Sequence, residues 1–165
     1  MIRFLIIPLV LLAACGTPFP DIPFLETENY SLMVAGDNPE LELKPTEELF
    51  DAVVDWAKQY PEAFEDYDFH SIADNLMVEY SFEVVRCNDG NIVGGVFNPP
   101  NHIKVKHYTG SPRHVAHELV HWMLYHGGKV TYKHVDETDY LYDDIETIGR
   151  QHIRRDGWFD DVYGG

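Results

Sequence analysis

The sequence predicts an α+β domain in which a small antiparallel or mixed sheet packs against one central helix and further helices. Residues 77–87 alternate between apolar and polar side chains, which is the period of a half-buried strand. Residues 46–60 and 140–154 repeat apolar side chains at helical spacing. Residues 112–126 are apolar on nearly all sides, as expected of a helix that runs through the centre of a domain.

Two helical stretches precede the predicted sheet. Thr46 favours the start of a helix that runs to about Tyr60, and Pro61 favours its end. The buried stripe expected on this helix consists of Leu49, Val53, Trp56 and Tyr60. A second, short helix is predicted at about residues 62–76.

Three strands are predicted next. The buried face of residues 77–87 is expected to carry Val78, Tyr80, Phe82 and Val84. The Asn-Asp-Gly-Asn sequence at 88–91 predicts a turn that pairs this strand with residues 92–97 as a hairpin. Residues 103–108 alternate again and predict the strand that leads into the central helix.

The central helix has clear end signals. Ser111 is a good N-cap, Pro112 suits the first helical position, and Gly127 and Gly128 favour an end just after His126. A motif in residues 117–121 therefore falls in the middle of a helix.

That motif is His-Glu-Leu-Val-His, the HExxH pattern. Two histidines four apart lie on one face of a helix, so His117 and His121 can bind a single zinc ion. Glu118 then leans over a water held by the metal and is predicted to be the general base. The alternative is a pair of hydrogen-bonded core histidines, but polar groups in so apolar a helix cost free energy unless something such as a metal compensates them.

The order of helix, small sheet, HExxH helix and further helix resembles the catalytic core of the zincin metallopeptidases over about residues 75–155. The resemblance implies a zincin-like fold and hydrolysis of peptide bonds. It also implies that the strand before the motif helix, here 103–108, forms the edge of the cleft and pairs with an extended peptide substrate.

A catalytic zinc ion usually has three protein ligands, so a third is expected after the glycine pair. His114 is too far along the helix axis from His121 to share its ion, and His126 lies off the histidine face. Glu146 is the predicted ligand, because it stands on the following helix as in the glutamate-ligand zincins, and Gly149 would let that helix approach closely. A glutamate paired with Arg150 is the alternative. The other candidate ligands are His134, Asp136, Asp143 and Asp144.

A donor that stabilises the oxyanion is also expected. Tyr132, His134, Tyr142 and His152 are the candidates, and for each of them a structural role is favoured.

The amino terminus resembles a bacterial lipoprotein signal. Residues 1–14 carry one positive charge and a short apolar stretch, and Leu-Ala-Ala-Cys at 12–15 resembles a lipobox, so Cys15 is expected to be the lipidated first residue. Gly16 after the cysteine favours the outer membrane of a two-membrane bacterium over its inner membrane. Residues 15–45 are expected to be a tether rich in proline and acids, and residues 46–165 the catalytic domain.

The composition of the chain disfavours some classes of binding partner. A hydrophobic content of 45% is typical of a folded domain, and a net charge of −16 disfavours nucleic acid and anionic headgroups, so lipid on Cys15 is the expected link to the membrane. With Cys15 lipidated, Cys87 has no intrachain partner, and a buried structural role is favoured over a reactive thiol.

The sequence therefore predicts zinc-dependent hydrolysis of peptide or protein substrates by a lipid-anchored protein of the cell envelope. The alternatives are an envelope lipoprotein that binds metal or peptide without turnover, and a structural envelope lipoprotein in which the motif occurs by chance.

Overall fold

A computed structural model of the chain describes residues 22–36, 38–64, 67–108 and 111–152. The described residues form an α+β fold, as predicted. Seven strands occur in chain order: β1 Phe24–Glu26, β2 Met33–Gly36, β3 Met77–Ser81, β4 Val85–Arg86, β5 Ile92–Val93, β6 Gly95–Asn98 and β7 His102–Lys106. The helices are α1 Pro39–Ala57, a 3₁₀ helix Phe69–Asn75, α2 Ser111–Gly127 and α3 Asp139–Gln151.

Five strands form one mixed sheet in the order β1-β2-β3-β7-β6. The three inner strands β2, β3 and β7 are parallel, whereas the edge strands β1 and β6 are antiparallel to their neighbours. Strands β4 and β5 form a separate antiparallel hairpin. Of the two edge strands of the five-stranded sheet, β1 and β6, it is β6 that lies closer to α2 in the sequence.

The register of the strands divides the sheet into two faces. Val34, Val78 and Ile103 lie in register, are fully buried and join the main core with the helices. The next row, Ala35, Glu79 and Lys104, points to the other face because side chains alternate along a strand. There the Glu79 carboxylate accepts hydrogen bonds from Lys104 at 2.7 Å and from His102 at 2.8 Å.

Strand β3 differs from the half-buried strand predicted at 77–87. It ends at Ser81, and all five of its residues are buried, because β2 and β7 flank it on both sides. Phe82 and Val84, expected on the buried face, are 42% and 50% exposed. The predicted hairpin is real but short, since only β4 and β5 pair across the turn, while β6 pairs with β7.

The predicted tether at 15–45 is wrong for its described part, because β1, β2 and the first turns of α1 lie within it. Helix α1 starts at Pro39 instead of Thr46, with the proline where its missing N–H costs nothing. Glu42 of the first turns is buried, and its Oε1 lies 3.2 Å from His107 Nε2. This tertiary contact joins the first turns of α1 to residue 107, which follows β7.

Helices α2 and α3 agree with their predicted positions and pack closely together. The helix predicted at 62–76 is confirmed only as the 3₁₀ helix at 69–75. Gly149 of α3 faces the backbone of α2, where a Cβ would lie 2.5 Å from Arg113 Cα and 3.0 Å from Pro112 O. As predicted, this glycine permits a close approach that any larger residue would prevent.

Candidate metal centre

Helix α2 presents the motif residues toward a cleft beside the sheet edge. The ring centroids of His117 and His121 are 5.1 Å apart, and the side chains of His117, Glu118 and His121 all line the cleft. Glu118 and His121 are 6% and 9% exposed. The helical spacing thus brings both imidazoles and the carboxylate to one place.

A third histidine joins them from the loop between α2 and α3. The centroid of the His134 ring lies 5.0 Å from that of His117 and 4.9 Å from that of His121. The Nε2 atoms of His117 and His134 are 3.1 Å apart. Among the described residues, these three histidines are the group of potential ligands close enough together to hold a metal ion.

The spacing of the three rings suits one tetrahedral ion. Nitrogens bound to zinc at about 2.0–2.1 Å lie roughly 3.3 Å from one another, and the centres of their rings lie about 5 Å apart. The three observed centroid distances of 5.1, 5.0 and 4.9 Å are nearly equal and close to that value. A single ion can therefore be shared without rearranging the backbone.

The orientation of His121 is fixed by its second nitrogen. Its Nδ1–H donates to the carbonyl oxygen of Tyr132, which leaves Nε2 as the nitrogen with a free lone pair. The Tyr142 hydroxyl donates to the same carbonyl at 3.1 Å and lies 3.0 Å from His121 Nδ1. Such outer contacts hold an imidazole in the tautomer and rotation that a metal needs.

Tyr142 of α3 also packs against all three histidines. Its ring centroid is 4.8 Å from His117, 4.7 Å from His121 and 4.2 Å from His134.

Burial lowers the pKa of His117 to about 3 and that of His121 to about 4, and the neighbouring imidazoles add to the effect. Both rings are thus neutral near pH 7, which is the form that binds a metal ion.

Glu118 is held from below by the sheet edge. The backbone N–H of Phe97 donates to its carboxylate, and a Cβ on Gly95 would lie 3.0 Å from Glu118 Cγ and 3.1 Å from Oε1. Burial raises the pKa of Glu118 to about 8, and the hydrogen bond from Phe97 opposes this shift. The Glu118 side chain is therefore closely packed and shielded from water beside the histidines.

Sequence reasoning missed Gly95 and Phe97 as parts of the site. The signal available was the Gly94-Gly95 pair inside a predicted strand, since glycine in a strand often marks a place where another group approaches closely.

Glu146, the predicted third ligand, does not belong to the group of potential ligands that His117, His121 and His134 form. Its Oε1 accepts a hydrogen bond from Arg113 at 2.8 Å, and its Oε2 accepts one from Arg150 at 3.3 Å. The carboxylate lines the cleft but is occupied by two guanidinium groups. The predicted alternative, a pair with Arg150 one turn on, is present. His134, one of the other candidate ligands, is the third member of the histidine group.

The other candidate ligands lie elsewhere. Asp144 accepts hydrogen bonds from Trp56 Nε1 at 2.8 Å and from the Tyr60 hydroxyl at 2.5 Å, which ties α3 to α1. Asp136 and Asp143 are exposed and are not in the histidine cluster. His126 is directed away, with Nε2 2.7 Å from Asn101 Oδ1.

Cys87 lines the same cleft as a free thiol of intermediate exposure, and burial raises its pKa. Cys87 is therefore only partly buried, whereas the favoured structural role implies a buried side chain.

Cys15 and the rest of the signal segment lie outside the described residues.

The edge of the cleft is not the strand that the sequence predicts. β7 lies between β3 and β6 in the sheet, so its backbone is paired on both sides. β6 is the edge strand, and Gly95, Val96 and Phe97 line the cleft of about 530 Å³. An extended ligand would therefore have to pair with β6.

Comparison of the chain with protein-family models, with curated proteins and with solved structures gives no match. None of the helices in the described part of the chain is both long and apolar enough to cross a membrane.

Proposed function

We propose that the protein is a zinc-dependent peptidase with a zincin-like core, in which His117, His121 and His134 hold the metal ion. The observation that carries this proposal is the nearly equal spacing of the three imidazoles, with centroids 4.9 to 5.1 Å apart, beside the buried carboxylate of Glu118. Zinc accepts three neutral imidazoles readily and leaves one position open in catalytic sites.

The donor set favours zinc over a hard cation. Three nitrogen ligands from imidazoles suit zinc, whereas calcium and magnesium prefer oxygen ligands. The hydrogen bond from His121 to the Tyr132 carbonyl supplies the outer contact that zinc-binding histidines usually have. When bound, the zinc ion would lower the pKa of water and polarise a carbonyl group.

Glu118 supplies the proton transfer. In its ionised form, which the positive charge of a bound metal ion would favour, it accepts a proton from the water whose oxygen bonds to the carbonyl carbon of the substrate. It later gives that proton to the amine as the carbon–nitrogen bond breaks. The Phe97 N–H and the close contact with Gly95 hold the carboxylate in one position for both transfers. Preorganisation of this kind avoids the cost of moving a charged group during the reaction.

The free edge of β6 supplies the place for an extended peptide. β6 borders the cleft and pairs on one side only, so its outer backbone groups, apart from the Phe97 N–H that Glu118 engages, can add one more strand. A peptide bound there passes directly beside Glu118, because Phe97 of the same strand donates to that carboxylate. The substrate class we propose is therefore a peptide or an unfolded segment of a protein.

Glu118→Gln tests the role of the carboxylate. The variant should keep its zinc, because Glu118 is not a ligand, and should lose turnover of a fluorogenic peptide by about 100-fold or more. Metal content and initial rate are measured on the same preparation.

Undiminished activity in Glu118→Gln would refute the assigned base. A wild-type protein that binds zinc and peptide but hydrolyses neither peptides nor unfolded proteins would point to the non-catalytic binding lipoprotein instead.

We also propose that lipid on Cys15 anchors the protein in the bacterial cell envelope, in the outer membrane. The support is the Leu-Ala-Ala-Cys sequence at 12–15 after a short apolar stretch. Cys15→Ser should abolish incorporation of labelled fatty acid and release the folded protein from the membrane fraction. Continued sedimentation of the variant with washed outer membranes would show that lipid is not the anchor.

A further inference from the structure

We propose that His114 is a catalytic residue of this cleft and donates a hydrogen bond to the substrate oxygen that gains negative charge as water attacks the carbonyl. The inference rests on the proposed peptidase function. It adds an oxyanion donor, and it gives a role to a histidine that cannot reach the metal ion.

The candidates expected from the sequence are poorly placed for this role. The Tyr142 hydroxyl is engaged by His121 and the Tyr132 carbonyl, and His134 belongs to the ligand cluster. His152 Nδ1 lies 3.0 Å from the Ile148 carbonyl at the end of α3. Tyr132 lines the cleft, but its ring packs edge-on against those of Phe97 and Tyr125. The donor we propose is therefore another residue of the cleft.

His114 lies in the cleft one turn before the motif. It precedes His117 by three residues and Glu118 by four, so its side chain occupies the same part of the helix surface. It lines the cleft together with both of them. His114 lies seven residues before His121, too far along the helix axis to share its ion. It lies only four residues, about one turn, before Glu118.

The sheet edge brings His114 to the path of the substrate. A Cβ on Gly94 would lie 2.2 Å from both Cε1 and Nε2 of His114, so the imidazole rests directly on the backbone of residue 94. Glu118 rests in the same way on Gly95, the first residue of β6. A peptide that pairs along this edge would meet the carboxylate and the imidazole side by side.

Tyr108 fixes the imidazole. Its hydroxyl forms a hydrogen bond with His114 Nε2, and the two ring centroids are 5.6 Å apart. Burial raises the pKa of Tyr108, so the hydroxyl keeps its hydrogen, and lowers the pKa of His114, so the ring is neutral. We assign Nε2 as the acceptor of the Tyr108 hydrogen, so Nδ1 carries the ring hydrogen and the ring retains one N–H to donate. Tyr108 is therefore a positioning residue.

The test compares four variants of the full zinc-loaded protein. His114→Ala removes the donor, His114→Gln restores an N–H, and Tyr108→Phe removes the contact that orients the ring. His126→Ala is the matched control, since it removes another histidine of α2 that contacts Asn101 instead of the cleft. Zinc affinity and thermal unfolding are measured for each, and then kcat and KM on one fluorogenic peptide.

His114→Ala should lower kcat by about 100-fold with little change in KM, as loss of an oxyanion donor does. Zinc affinity should equal that of the wild type. We expect His114→Gln to recover part of kcat and Tyr108→Phe to lose on the order of tenfold, because the ring keeps its N–H but not its orientation.

A second readout does not depend on turnover. A phosphinic peptide mimics the tetrahedral oxyanion, so its binding to zinc-loaded His114→Ala, measured by calorimetry, should weaken by about 10-fold or more while His126→Ala binds it normally.

Wild-type kcat in His114→Ala, or a change confined to KM, would overturn the inference. So would a loss of zinc that accounts for the loss of activity. If the wild type hydrolyses peptide and Glu118→Gln does not, such a result removes only the role of His114. A wild type with no activity and no phosphinic peptide binding would remove the peptidase proposal together with it.

Discussion

The three clustered histidines differ in whether the sequence alone predicts their position. His117 and His121 are predictable because four residues on a helix fix their relative position. His134 comes from the loop between α2 and α3, and no periodicity specifies the path of a loop. Glu146 has a suitable place on α3, but its partner Arg113 is 33 residues away, and the sequence gives no sign of that pair.

Gly95 offers a test of how tightly Glu118 must be held. In Gly95→Ala the new Cβ would lie 3.0 Å from Glu118 Cγ, so the carboxylate must move by a few tenths of an ångström. We expect a loss of kcat on the order of tenfold with zinc affinity unchanged, because small misplacements of a reacting group are costly.

Asn98→Ala is the matched control, since residue 98 lies on the same strand and, by register, on the opposite face of the sheet from Phe97. Equal kcat in Gly95→Ala and the wild type would show that the sheet edge does not position the carboxylate.

Local sequence signals predict the positions of helices α2 and α3 correctly. The predicted start of α1 and the predicted end and burial of β3 are wrong. Caps, glycines and apolar spacing define α2 and α3 within the segment itself. By contrast, α1 begins at Pro39 and not at Thr46, although the proline and Glu40 in the first turn are a local start signal. β3 is buried on both faces because two strands distant in sequence flank it. Tertiary contacts of this kind leave no local pattern.

Gly149 tests the contact between α2 and α3. Its missing side chain allows the backbones to approach so closely that a Cβ would lie 2.5 Å from Arg113 Cα. Gly149→Ala should therefore lower the free energy of unfolding by about 1–3 kcal/mol, the usual cost of overpacking. The same displacement should weaken zinc binding, because α3 carries Tyr142, which packs on all three histidines.

Thr147→Ala controls for the substitution itself, as Thr147 is exposed on the same helix. Denaturant unfolding and zinc titration of both variants check the outcome. A stability of Gly149→Ala equal to that of Thr147→Ala would mean that the helices can separate at no cost.

At the scale of the whole molecule, the candidate site joins three separate parts of the chain. Helix α2 contributes His117, Glu118 and His121, the loop before α3 contributes His134, and the edge strand β6 contributes the backbone under Glu118. A ligand that binds only when these parts are together stabilises the folded state. Zinc binding should therefore report on the entire arrangement.

The most direct measurement is a zinc titration of the metal-free protein by competition with a chromophoric chelator, for the wild type, His134→Ala and Glu146→Ala. The wild type should bind one zinc ion per chain. His134→Ala should bind it at least about 100-fold more weakly because a direct ligand is lost. Glu146→Ala should keep the wild-type affinity and lose at most about 1 kcal/mol of stability, since its partners are partly exposed arginines. Loss of zinc from Glu146→Ala with full binding by His134→Ala, or no binding by the wild type, would contradict the three-histidine site.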